Sequence, residues 1–234
     1  MFNPFKLNYD KPGRGVSENE PDKKGIFKYF DIIIHKIKEL LMLNILFIIT
    51  SIPIVTIGPS FAAMTDVLKS YIDGEHSWGI SDYFSAFKKH FRRGFFTGIA
   101  ALLFGYGILH NLIYFVFLSE GLVGAYLTWL FIALAVLYII VHGYVYTLLV
   151  TTGESVLELY TDAFILTLAK LPLNIVVSAA TMLYPALIIW IFFTPAISVY
   201  ISTPLASTLV LFTLFSFCQL SAVLYTGSVI KKIR

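Results

Sequence analysis

Four stretches of this chain, 40–65, 95–119, 121–153 and 171–230, contain no Asp, Glu, Lys or Arg. A helix needs roughly 20 apolar residues to cross the hydrocarbon core of a bilayer, and charge at that depth is costly. The later uncharged stretches predict transmembrane helices over 95–118, 123–149, 171–193 and 204–228. "SEG" at 119–121 and "TPAISVYISTP" at 194–204 read as the turns inside two helical pairs. "TTGESVLELYTDAF" at 151–164 reads as the polar connector between the pairs, with a short helix inside it.

The first uncharged stretch is different, because "SIPIVTIGPS" at 51–60 interrupts it. Pro53 and Pro59 lack an amide proton and disfavour a continuous helix, and Gly58 adds backbone freedom. Segment 40–72 is therefore expected to be a broken hairpin. One helix ends near Thr50–Ile52, and another starts at Pro59 or Ser60 and stops at Asp73–Gly74. Pro53, Gly58 and Pro59 form the structural break. Backbone at such a break needs partners inside the membrane, and Thr50, Ser51, Thr56 and Ser60 are the candidates.

Two flanking segments alternate with helical spacing. In "GIFKYFDIIIHKIKEL", Phe27, Phe30, Ile34 and Ile37 fall on one side, and Lys28, Asp31, His35 and Lys38 largely on another. That pattern predicts an interfacial helix over 25–39. In "SDYFSAFKKHFRRG", an aromatic side ends in Lys88, Lys89, Arg92 and Arg93, which predicts an interfacial basic helix over 81–93. The surrounding apolar spans assign this segment to the membrane surface and not to nucleic acid. Residues 1–24 are polar and proline-containing and read as a flexible cytoplasmic tail. The expected fold is an all-α integral membrane protein. It has an N-terminal helical hairpin with a proline/glycine break, four transmembrane helices and interfacial amphipathic helices, in one membrane domain over 25–234.

Composition agrees with this pattern. The 234 residues are 58% hydrophobic and 13% charged, with a mean hydropathy of +0.81. Soluble domains carry about 25% charged residues. Basic residues mark the cytoplasmic side. They gather in the N-terminal segment, at Lys69 and 88–93, at Lys170 and at the C-terminus, and are absent from 119–121 and 194–204. Both termini are thus expected in the cytoplasm of a multi-pass protein, with 40–72 leaving and returning to the same face. The Gly94–Gly98 spacing allows close helix contact and is a weak dimer signal. Cys218 is the sole cysteine, which excludes an intrachain disulfide.

Polar residues in apolar surroundings are the candidates for chemistry. His110 and His142 lie within spans, where a histidine either meets a partner or bonds a helix carbonyl. Glu154, Glu158 and Asp162 recur every four residues and can share a helix face toward a partner. Lys170 sits at a span edge, where its stem reaches along apolar surface to a polar boundary. Asn111 and Asn174 are candidates for interhelical hydrogen bonds. No Walker loop, nucleotide fingerprint, serine-hydrolase elbow or zinc-protease spacing occurs. No catalytic residue, cofactor or metal site is expected, and the chain is read as a non-enzyme.

The order of the apolar helix into "SIPIVTIGPSFAAM", then "DVLKSYIDGE", then "DYFSAFKKHFRRG", resembles the YesL-like family of bacterial integral membrane proteins of unknown function. The likeness is strongest over 40–95. It implies a bacterial plasma-membrane protein of five or six helices with a link to carbohydrate uptake, and it implies no catalytic residues. "LELYTDAFILTLAKLPL" at 157–173 loosely resembles the coupling loop of sugar ABC permeases. Phe164 stands near the place of the expected glycine, so the segment is read as a cytoplasmic connector. The expected function is a non-enzymatic accessory or assembly partner in carbohydrate uptake, with membrane lipids and sugar ABC transporter components as partners. The alternative is a small transporter or channel for an unidentified solute. The sequence leaves the oligomeric state open.

Overall fold

The computed structural model describes residues 25–75, 79–119, 121–193 and 204–233. The tail expected over 1–24 lies outside them. The described residues form helices α1 (Ile26–His35), α2 (Ile37–Ser51), α3 (Ile57–Asp73), α4 (Ile80–Phe117), α5 (Gly121–Thr151), α6 (Val156–Ala169), α7 (Leu171–Phe193) and α8 (Pro204–Ile233). A 3-10 turn, Ile54–Thr56, separates α2 from α3.

The break between α2 and α3 falls where the prolines require it. Pro53 is extended, with φ −73° and ψ 116°, and starts the 3-10 turn. Pro59 lies in the first turn of α3, where no intrahelical partner exists for an amide proton. Hydroxyls occupy the break: Thr56 Oγ1 donates to Thr50 O at 2.6 Å, and Ser60 Oγ donates to Thr50 Oγ1 at 2.9 Å. Thr50 and Tyr83 share a hydrogen bond of 2.6 Å, which ties the break to α4. Ser51, expected to join this cluster, has a buried Oγ without a partner among the described residues. At the other end of α3, Gly74 takes the left-handed conformation, with φ 78°, and closes the helix.

Several boundaries differ from the expectation. The start of α3 is Ile57 and not Pro59 or Ser60, so its length is 17 residues, about 25 Å at helical rise. The expected interfacial helix over 25–39 is shorter: α1 ends at His35, and the non-helical Lys36 starts α2. The expected helices over 81–93 and 95–118 are one continuous α4. No proline separates them, and Gly94 is held inside the helix by its neighbour. The expected span over 123–149 lengthens into α5.

Gly58 is the main correction. It is not a point of freedom but a helical residue pressed against α4. A Cβ placed on it would lie 2.6 Å from Gly98 Cα and 2.9 Å from Gly98 N. A Cβ on Gly94 would lie 2.9 Å from Pro59 Cα. The Gly94–Gly98 spacing therefore serves an intramolecular contact, not the dimer it signals in the sequence. Asp66 of α3 meets His90 at 3.2 Å and Lys89 at 3.4 Å, so α3 and α4 run antiparallel.

Two apolar clusters surround this seam. In one, Leu40, Leu43 and Phe47 of α2 meet Met64 and Leu68 of α3, Tyr83 of α4 and Leu220 of α8. In the other, Tyr144, Val145 and Leu148 of α5 meet Ala62 of α3, Leu159 of α6 and Val229 of α8. Among the described residues, α4 and α5 are long and apolar enough to cross a membrane, and α6 with the start of α7 passes the same test as a pair bent by 98°. The other two expected spans, 171–193 and 204–228, are helical as α7 and α8.

Replacing Gly58 or Gly98 by Val is expected to destabilise the protein by roughly 1–3 kcal/mol or more, because the obstructing atoms are backbone. Gly107 has open space around its Cβ position, so Gly107→Ala should leave stability unchanged or raise it. Thermal unfolding in mild detergent distinguishes the three variants.

Candidate functional site

The residues singled out by sequence do not converge on one centre. His110 lies exposed on α4, stacked on Tyr106 with ring centroids 5.8 Å apart. His142 sits between α4, α5 and α6. Its Nδ1 donates to Tyr138 O at 2.8 Å, and its Nε2 lies 3.2 Å from the Tyr160 hydroxyl. That hydroxyl donates to Thr97 O at 3.1 Å, and Tyr138 donates to Ala101 O at 2.9 Å. The cluster joins three helices through their backbones.

The acidic trio is divided. Ser155 and Glu158 form a capping box that starts α6, Asp162 follows one turn on, and Glu154 lies outside the helix. The Glu154 carbonyl accepts from Arg93 at 2.7 Å. The same guanidinium donates to Leu149 O at 3.1 Å and Thr152 O at 2.8 Å. A cation on the carbonyls that end α5 satisfies orphan acceptors and opposes the helix dipole. Sequence reading placed Arg93 in a basic surface run and missed this role, since only the fold brings the end of α5 to it.

Lys170 marks the bend between α6 and α7. Asn174, 1% exposed, holds that bend together. It donates to Thr167 O at 2.9 Å and accepts from Tyr144 at 2.9 Å and Tyr225 at 2.7 Å, joining α5, α6, α7 and α8. Asn111, expected to act likewise, donates to Gly107 O within its own helix. Further interhelical bonds link Asn44 to Ser216, Gln219 to Thr65, and Thr147 to Thr226.

A cleft of about 930 Å³ opens between α1, α3, α7 and α8, with Thr147 and Thr151 of α5 in its lining. Val176, Val177 and Ala180 of α7 give it an apolar wall, and Lys28, Lys69 and Lys231 stand at another part of its lining. Asp73 receives Lys231 at 2.8 Å and Lys69 at 3.4 Å. Burial alone raises this carboxyl, but the two lysines outweigh it and hold the carboxyl below its usual range. Asp73 is therefore ionised at neutral pH, and three lysines against one carboxylate leave two net positive charges. This arrangement is shaped to hold a ligand: volumes of 300–1,000 Å³ with mostly apolar lining and a few polar groups are typical of binding sites. None of its charged residues was identified as a site from sequence, because they come from three helices distant in the chain.

Replacing Asn174 by Leu removes the acceptor shared by the buried Tyr144 and the half-buried Tyr225 hydroxyls and the donor to the Thr167 carbonyl, at about 1–3 kcal/mol for each buried group left unpaired. Asn111→Leu removes one bond on a single helix. Thermal unfolding should show a much larger loss for the first variant.

No curated protein and no solved structure gives a significant match to the chain. Residues 40–112 match the family model described as "Protein of unknown function, DUF624". The matched region holds the break, the α3–α4 seam and the first part of the α4 span. Over that region, which is less than a third of the chain, the protein is similar to this family of unknown function.

Proposed function

We propose that the protein is a non-enzymatic accessory or assembly partner of a carbohydrate-uptake system in the bacterial plasma membrane, and that sugar ABC transporter components are its partners. The α4–α5 hairpin carries the assembly role. Beyond Ala101 on α4 and before Ile140 on α5 most side chains are exposed, with Phe117 at 78%, Tyr126 at 74% and Trp129 at 70%. Inside a bilayer, helices associate through side-chain packing and interhelical hydrogen bonds. This aromatic lateral surface suits the helices of another membrane protein.

The polar groups favour assembly over transport. His142, Tyr160, Asn174 and Thr147 each hold a bond between helices, which locks their positions. In this reading α7 and α8 add two crossings to those of α4 and α5, and both basic termini face the cytoplasm. The carbohydrate link rests on the family resemblance over 40–95.

Affinity purification of the tagged chain in mild detergent, followed by quantitative mass spectrometry, tests the proposal. A sugar ABC permease subunit should be enriched over abundant membrane proteins. Deleting the chain should lower sugar uptake only in cells that contain that permease. Isolation of the chain alone, together with solute flux through purified proteoliposomes, would replace this reading with that of a transporter.

A further inference from the structure

We propose that the cleft between α1, α3, α7 and α8 binds an anionic phospholipid of the cytoplasmic leaflet, with the lipid phosphate at Lys28 and Lys231 and an acyl chain along Val177 and Ala180. This goes beyond the accessory role and does not rest on it. Three observations carry it.

The first is charge. Lys28 of α1, Lys69 of α3 and Lys231 of α8 converge on one cleft from separate helices. Lys69 and Lys231 each contact one oxygen of Asp73. An ammonium group has three donors, so each lysine keeps donors for a second anion. The net charge of this group calls for one.

The second is shape. Cys218 and Lys231 both line the cleft and lie on the same helix, about 20 Å apart at helical rise. The charged part is therefore continuous with a long wall that includes Val177, Ala180 and Cys218. A free phosphate ion needs only the first part. A molecule with an anionic head and a hydrocarbon tail uses both.

The third is setting. On α7 the lining residue Val176 and its neighbours in sequence, Leu173 and Ile175, are exposed and apolar, as are Phe27 and Ile34 on α1. Such surface belongs against lipid. Basic pockets between membrane helices on the cytoplasmic side recognise anionic headgroups. The basic segments of this chain are those expected on that side.

Native mass spectrometry of the full chain in mild detergent, titrated with phosphatidylglycerol or phosphatidylcholine of identical acyl chains, tests the site. The wild-type protein should retain one phosphatidylglycerol in clear preference to phosphatidylcholine. The double variant Lys28→Gln, Lys231→Gln should lose about 30-fold in affinity for phosphatidylglycerol with little change for phosphatidylcholine. Ala180→Trp, which fills the apolar part, should weaken both lipids. Equal binding of the two lipids by the wild type would overturn the proposal, whatever the variants do. So would an unchanged preference in the lysine variant. Inorganic phosphate that displaces the lipid with comparable affinity would make the cleft a free-anion site and equally end the lipid assignment.

Discussion

Two helices can bring their backbones into contact only where side chains are missing from both, and α3 and α4 do so at Gly58, Gly94 and Gly98. The contact fixes more than one pair of helices. It holds the break at 52–56 beside α4, where Thr50 shares a hydrogen bond with Tyr83 and accepts one from Ser60. It sets Asp66 against His90, a residue only 4% exposed. It also fixes the face of α4 that carries Arg93 toward the end of α5. A side chain at any of these three glycines would press α3 away from α4 and disturb all three.

From this frame outward, cohesion comes from polar groups as much as from apolar ones. Lipid tails are as apolar as leucine, so burial alone gives membrane helices little reason to associate. The chain instead places an amide or guanidinium at several helix junctions: Asn44 between α2 and α8, Gln219 between α8 and α3, Arg93 between α4 and α5, Asn174 where four helices meet. The apolar clusters fill the space between these bonds. Among the described residues the distal part of the α4–α5 hairpin lacks such cover, which is why the proposed assembly role is placed there.

Much of the helical plan was legible in the sequence because it depends on local chemistry. Charge-free length marked α4, α5, α7 and α8; Pro53 and Pro59 marked the break; Gly74 marked the end of α3. The misreadings share a cause. The composition changes abruptly after Arg93, from basic to apolar, which suggests an element boundary, although backbone hydrogen bonding ignores such a change. Gly58 was read through its own torsional freedom, while its role depends on Gly94 and Gly98. The spacing of the two later glycines signalled close contact but could not say whether the partner was another chain or this one. The cleft was invisible for the same reason: Lys28, Lys69 and Lys231 become neighbours only through the fold.

The account stands on the antiparallel return of α3 along α4 within a single chain. In a Cys218→Ala background, the double variant Asp66→Cys, His90→Cys places two thiols across that seam. A short bifunctional thiol reagent applied to membranes should join them within one chain, giving a species of altered mobility at monomer mass. Cross-linking found only between chains, or none although each cysteine reacts singly, would contradict the seam.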